Sequence, residues 1–158
     1  MTDPERLQHA LDLAYRFLGH RDRTVAEVRE RLGAEGIEPD VVDDAVEELR
    51  HLGYLDDARY AQRFAEDRRT IDAWGAERIE RRLLAVGVEP ALIAAALGER
   101  GTGEELEAAL AVLRRRFPQP PAHDRDRDRA LGLLVRKGYE LELAHDALRR
   151  HADVGELE

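Results

Sequence analysis

The stretch GIEPDVVDDAV at Gly36 returns as GVEPALIAAAL at Gly87 and, more loosely, as GYELELAHDAL at Gly138. The glycines are equally spaced by 51 residues (87 − 36 = 51; 138 − 87 = 51). Ile37/Val88, Val41/Leu92, Val42/Ile93 and Val46/Leu97 exchange conservatively, and Leu143, Ala144 and Leu148 fill matching columns in the third copy. Upstream, Val28 and Leu32 correspond to Ile79 and Leu83, and Leu134 continues the Leu32 column. A fixed period of this size marks one supersecondary unit used repeatedly. A unit near 50 residues buries too little apolar surface to stand alone comfortably, so neighbours must cover one another. The expected fold is all-α: three tandem three-helix repeats, at 1–53, 54–101 and 102–158, forming an elongated, curved array.

Local signals place the helices. Leu7, Leu11, Leu13, Ala14 and Phe17 recur at helical spacing over 6–18. TVAE at 24–27 has the form of a capping box, with Thr24 and Glu27 serving each other's backbone N–H groups. Gly36 suits the left-handed position that closes a helix, and Pro39 suits the first turn of the next. The same punctuation recurs at Gly87 and Pro90. Asp56 or Asp57 is the expected N-cap of the fourth helix. The segment 74–86 reads as a helix headed by Trp74, and GERGTGEE at 98–105 as a hinge. The last helix is expected to reach about His151, with the final residues frayed.

Composition removes several functional classes. There are no cysteines, so neither a disulfide scaffold nor a thiolate zinc site is available. The longest apolar run, ALIAAAL at 91–97, is far short of the roughly 20 residues of a membrane span. The N-terminal residues carry acids where a signal peptide needs bases, so a cytoplasmic protein without membrane contact is expected. The six histidines stand in no metal-binding spacing, and no nucleophile elbow or phosphate-cradling loop occurs. DRDRD at 124–128 opens like a calcium loop, but Arg129 replaces the required Gly, and Val135 stands where the bidentate Glu belongs. Alternating charge at an exposed helix start accounts for it. No enzyme, metal or cofactor is expected.

Charge is informative where it is sorted. The net charge is −9, yet 25 basic residues are present, all but Lys137 being Arg. On the helix 74–86 the core stripe is Ile79, Leu83 and Val86; Arg78, Arg81 and Arg82 flank it, with Glu77 and Glu80 on the far side. Arg68 follows Phe64 by four residues and so projects from an apolar face, where a guanidinium must snorkel, find an acid or line a groove. The candidate partner-binding residues are Arg68, Arg78, Arg81 and Arg82, with Arg69 and Trp74 secondary. Arg114, Arg115 and Arg116 in RRRF make a second cluster, at a helix end where cations are favoured anyway.

LGYLDDARYAQRFAEDRR followed by WGAERIERRLLAVGVEPALIAAAL resembles the RecX family of bacterial recombination regulators. Gly53, Tyr54, Leu55, Asp56, Asp57, Tyr60, Ala61, Arg68, Gly75, Arg78, Ile79, Leu83 and Gly87 carry the likeness, and RTVAEVRERLGAEGI resembles the family's first unit. Asp56 departs from the Asn of many relatives, and either residue caps a helix. The likeness covers residues 10–100 in sequence and the remainder in architecture only. It implies a monomeric, non-enzymatic regulator lying in the groove of the RecA–single-stranded DNA filament. There it would limit ATP hydrolysis, filament extension and strand exchange, within DNA repair, homologous recombination and the SOS response. Two other readings stay open: a helical protein that binds DNA directly, and a helical-repeat adaptor for another protein.

Overall fold

The computed structural model describes residues 2–98 and 100–156. Among them every regular element is a helix. They are α1 (Pro4–Leu18), α2 (Val25–Ala34), α3 (Pro39–His51), α4 (Asp57–Ile71), α5 (Ala76–Ala85), α6 (Pro90–Leu97), α7 (Thr102–Arg116), α8 (Asp124–Lys137) and α9 (Leu141–Glu156). In chain order they fall into three groups of three. None is long and apolar enough to cross a membrane.

Three boundaries differ from expectation. The hinge is shorter, because Thr102 already begins α7; of its remaining residues, Glu99 lies outside the described set. The helix α9 continues past His151 to Glu156, and the fraying expected at the extreme C-terminus falls on 157–158, outside the described residues. Trp74 precedes α5 instead of heading it, because α4 closes with a left-handed turn at Ala73 (φ 56°). There the Trp74 N–H donates to the Arg68 carbonyl at 3.1 Å.

Contacts divide the chain into two compact units, one of residues 1–63 and 83–93, the other of 64–82 and 94–158. In the first unit α1, α2 and α3 pack on one another around Ala10, Ala14, Val28, Leu32, Ala45, Val46 and Leu49, all essentially solvent-free. The helical periodicity assigns all of these inward except Ala10, and it also names Leu7 and Leu13, which are only half-buried. Phe17 packs at the edge of this core, and the Arg23 guanidinium lies 4.1 Å over its ring. The capping box at the start of α2 forms as expected: Glu27 N–H donates to Thr24 Oγ1 at 3.2 Å, and Thr24 N–H donates to Glu27 Oε1 at 3.1 Å.

In the second unit α7, α8 and α9 pack around Ala109, Leu110, Leu113, Ala130, Leu134, Tyr139, Ala144 and Ala147. His151, nearly buried, donates from Nε2 to the Phe117 carbonyl at 2.7 Å and ties α9 to the end of α7. Because a carbonyl can only accept, that ring nitrogen carries the proton.

Candidate partner interface

Helix ends are tied to helix starts in both units. In the first, Thr24 does more than cap α2: its hydroxyl also donates to the Val86 carbonyl at 2.6 Å, just beyond α5. The next residue, Val25, donates its N–H to Asp57 Oδ1 at 3.0 Å. Asp56 and Asp57 thus divide their work. Asp56 caps its own helix by accepting from Arg59 N–H at 3.0 Å, while Asp57 serves α2. Burial pushes the Asp57 carboxyl up, opposed by the Val25 N–H and by Arg50. Gly87 meets Ala26 so closely that an added Cβ would lie 2.3 Å from Ala26 Cβ, and its φ of +86° is one that L side chains rarely adopt.

In the second unit the end of α8 meets the start of α5. The N–H of Gly75 donates to the Lys137 carbonyl at 2.8 Å, and that of Glu77 to the Gly138 carbonyl at 2.9 Å. Between them the Ala76 N–H donates to buried Glu105 Oε1 at 2.8 Å, and Glu105 Oε2 pairs with Arg100 at 3.0 Å. The open N–H groups of one helix therefore satisfy the open carbonyls of another, and Glu105 adds a negative charge where the helix dipole favours one. Tyr139, fully buried, donates its hydroxyl to the Ala73 carbonyl at 2.8 Å. Burial pushes its phenol up to about 12; Arg100 opposes the rise and Glu105 adds to it.

Three of the expected binding residues come together at this junction. Half-buried Trp74 packs edge-on against Phe64, ring centroids 6.0 Å apart. The Arg78 guanidinium lies 4.1 Å from the Trp74 ring centroid and donates to the Arg136 carbonyl at 3.1 Å. Arg68 pairs with Asp72 and sits 5.7 Å and 5.9 Å from the Phe64 and Trp74 centroids. Arg69 donates to the Leu97 carbonyl at 3.1 Å. These side chains are engaged within their own unit.

Arg81 and Arg82, a turn further along α5, are exposed, as are Arg114, Arg115 and Arg116 at the end of α7. Among the described residues no carboxylate pairs with any of these five. Sequence reasoning missed Lys137, whose Nζ donates to the Asp72 carbonyl at 2.8 Å, and the buried Arg100–Glu105 pair. It took Arg125 as part of alternating charge at a helix start, weighed Arg129 only against a calcium loop and did not consider Arg136, although their spacing puts the three on one face of α8. That spacing was the available signal. Among the described residues no group of His, Asp and Glu side chains is placed to hold a metal ion.

The architecture defines an all-helical protein in which, inside each unit, a helix end is tied to a helix start. The family description "RecX, first three-helix domain" matches residues 10–49, and "RecX, second three-helix domain" matches residues 56–97. The regulatory protein RecX of Trichlorobacter lovleyi is 36% identical over 134 residues, covering 82% of this chain and 87% of that protein. Its Mycobacterium avium counterpart is 30% identical over 146 residues, covering 90% and 84%. That of Lactobacillus delbrueckii subsp. bulgaricus is 38% identical over 116 residues, 70% of this chain, but the match spans only 43% of that longer protein. A crystal structure of RecX from Lactobacillus salivarius shares the fold with a TM-score of 0.82 at 18% identity, over 95% of this chain and 98% of that one. The chain belongs to the RecX family of regulatory proteins.

Proposed function

We propose that the chain binds the RecA filament assembled on single-stranded DNA, seated in the filament's groove. Acting as a monomer and without chemistry of its own, it restrains ATP hydrolysis, filament extension and strand exchange. Its setting on this reading is cytoplasmic: DNA repair, homologous recombination and the SOS response. The observation that carries the reading is family membership combined with arginines that, among the described residues, no carboxylate neutralises. Arg81 and Arg82, with Arg114, Arg115 and Arg116, are the gripping charges, since guanidiniums hold carboxylates and phosphates through paired hydrogen bonds. Arg68, Arg69, Trp74 and Arg78 act with them by fixing the surface from which Arg81 and Arg82 project. A protein touching more than one subunit of a helical polymer gains affinity with each added contact, through effective concentration.

The test is RecA's ATPase on single-stranded DNA with the chain at substoichiometric amounts. Inhibition is expected, and Arg81→Ala with Arg82→Ala should weaken it without changing helicity. An unaltered ATPase at all ratios would refute the proposal, and full inhibition by the double variant would move the interface elsewhere.

A further inference from the structure

The second unit contains a cationic cleft of about 400 Å³ where the end of α7 meets one face of α8. Arg125 and Arg129 stand one turn apart on that face, Leu133 one turn beyond, and Arg136 closes the row; Arg116 and Phe117 approach from α7. Asp128 is the sole acid of the lining, so the cleft carries a formal charge of +3 (4 − 1 = 3) in a chain of net −9. Arg129 is partly neutralised by Asp126 at 3.8 Å. Among the described residues Arg116, Arg125 and Arg136 have no ion pair.

Gly132 lies under the Arg136 guanidinium. A glycine inside a helix is less stable there than Ala. Here a Cβ would lie 3.0 Å from Arg136 Nη1, because that guanidinium folds back across the Gly132 backbone. An added methyl at 132 would push that guanidinium aside by a few tenths of an ångström, so glycine leaves it free to lie across the helix. At the other wall the Phe117 carbonyl is held by His151, which fixes the aromatic side chain's anchor.

We propose that this cleft is a binding site for single-stranded nucleic acid, with the arginines on successive phosphates and the Phe117 ring against a base. Unpaired guanidiniums around a small cleft repel one another, and a polyanion relieves that repulsion. Phosphates take guanidiniums in bidentate fashion, and an aromatic beside a basic groove is the arrangement that holds unpaired bases. Duplex DNA fits poorly, since reading it requires an element that projects into a groove, and this face is recessed. An acidic peptide would neutralise the arginines but leave the ring without a partner. The inference shares Arg116 with the function proposed above and otherwise stands apart from it.

The test is fluorescence anisotropy of a labelled oligo(dT) with the full chain, without RecA, across a salt series. Binding that weakens with a log–log slope of roughly −0.7 per neutralised phosphate is expected. Arg125→Ala, Arg129→Ala and Arg136→Ala together should weaken it by at least about tenfold and flatten the slope. Gly132→Ala should keep or raise the melting temperature yet weaken binding, a combination that a purely structural role does not produce. Arg6→Ala with Arg50→Ala, which removes the same kind of charge from the first unit, should change binding little. The proposal is overturned if the wild-type chain does not bind, if the control pair matches the triple variant, or if polyglutamate displaces the oligonucleotide as well as unlabelled oligo(dT) does. With RecA absent, this outcome is independent of the ATPase.

Discussion

The two units solve one problem differently. In each, the carbonyl end of one middle helix meets the amino end of another: Val86–Gly87 with Thr24–Ala26 in the first, Lys137–Gly138 with Gly75–Arg78 in the second. The pairs are related by the 51-residue period (24 + 51 = 75; 86 + 51 = 137). In the first unit a side chain bridges the gap, the Thr24 hydroxyl accepting from its own helix and donating to the other. In the second there is no room for a side chain. A Cβ on Gly75 would lie 2.5 Å from the Gly138 carbonyl, and one on Gly138 would lie 2.6 Å from Arg78 N, so backbone bonds to backbone directly. The flanking carboxylates differ too. Asp57 caps α2 with its carboxyl pushed up by burial, whereas Glu105 caps α5 while paired with Arg100. One repeated connection thus tolerates either a hydroxyl spacer or direct backbone contact, but each choice dictates which residues may flank it.

The sharpest way to break this comparison uses three glycines with similar backbone angles. Gly36, Gly87 and Gly138 have φ of 81°, 86° and 103°, but only Gly36 has open space where a Cβ would point. Gly36→Ala should therefore cost the left-handed strain alone, about 1–2 kcal/mol. Gly138→Ala adds a collision with the Arg78 backbone and should cost about 3 kcal/mol or more, with Gly87→Ala in between. Urea unfolding of the three variants decides it. Equal losses would mean that strain, not the close approach, requires glycine at the junctions.

The bridging role of Thr24 predicts the next largest effect. Thr24→Ala removes an N-cap worth about 1 kcal/mol and a second hydrogen bond worth about as much, so a loss near 2 kcal/mol is expected. Thr24→Ser keeps the hydroxyl and should recover most of it. If Ser is as damaging as Ala, the γ-methyl's packing is what matters and the bridge contributes little.

These residues also mark how far sequence reading reaches. The helices, the closing glycines, the core columns and the Thr24–Glu27 box were legible because each depends on neighbours within a few positions. The second bond of Thr24 was not, since its acceptor comes from 62 residues away and nothing local announces it. Asp56 and Asp57 were interchangeable as caps on local grounds; only the arrival of Val25 separates them. Arg78 was the same kind of case. A helical wheel aligns it with Arg81 and Arg82, but Trp74 and the Arg136 carbonyl occupy it, leaving the other two exposed. The basic row on α8 was visible as spacing. Its meaning depended on the end of α7 arriving opposite, which periodicity cannot supply.

Tyr139 gives the junction of the second unit a pH dependence in the alkaline range, set by a phenol. The junction of the first has instead a carboxyl, Asp57, that burial also pushes up. The Tyr139 phenol is raised from 10 to about 12, so the unfolded chain releases that proton first as the solution becomes alkaline. Its contribution is complete below pH 10 and is lost as pH rises through the folded value, at up to about 1.4 kcal/mol per pH unit. Tyr139→Phe should cost about 1 kcal/mol near neutrality, by leaving the Ala73 carbonyl without its donor. The variant should also lose less further stability than wild type between pH 10 and 12. Parallel pH profiles would show that other groups control alkaline unfolding.

The smallest effect has the opposite sign. Ala73 closes α4 in a left-handed conformation (φ 56°) where glycine is the usual residue. An L side chain there costs about 1–2 kcal/mol, while glycine adds roughly 0.5–1 kcal/mol of chain entropy to the unfolded state. The balance makes Ala73→Gly stabilising by about 0.5 kcal/mol. The strain is retained at the turn that delivers Trp74 to Phe64 and Arg78, and whose carbonyl Tyr139 holds. If the alanine methyl helps to set that turn, Ala73→Gly should raise the unfolding midpoint while loosening Trp74, read as a red shift or broadening of the single tryptophan's emission. A more stable variant with unchanged emission would mean that the hydrogen bonds alone position the ring and the alanine is merely tolerated. A less stable one would mean that the methyl's packing outweighs its strain.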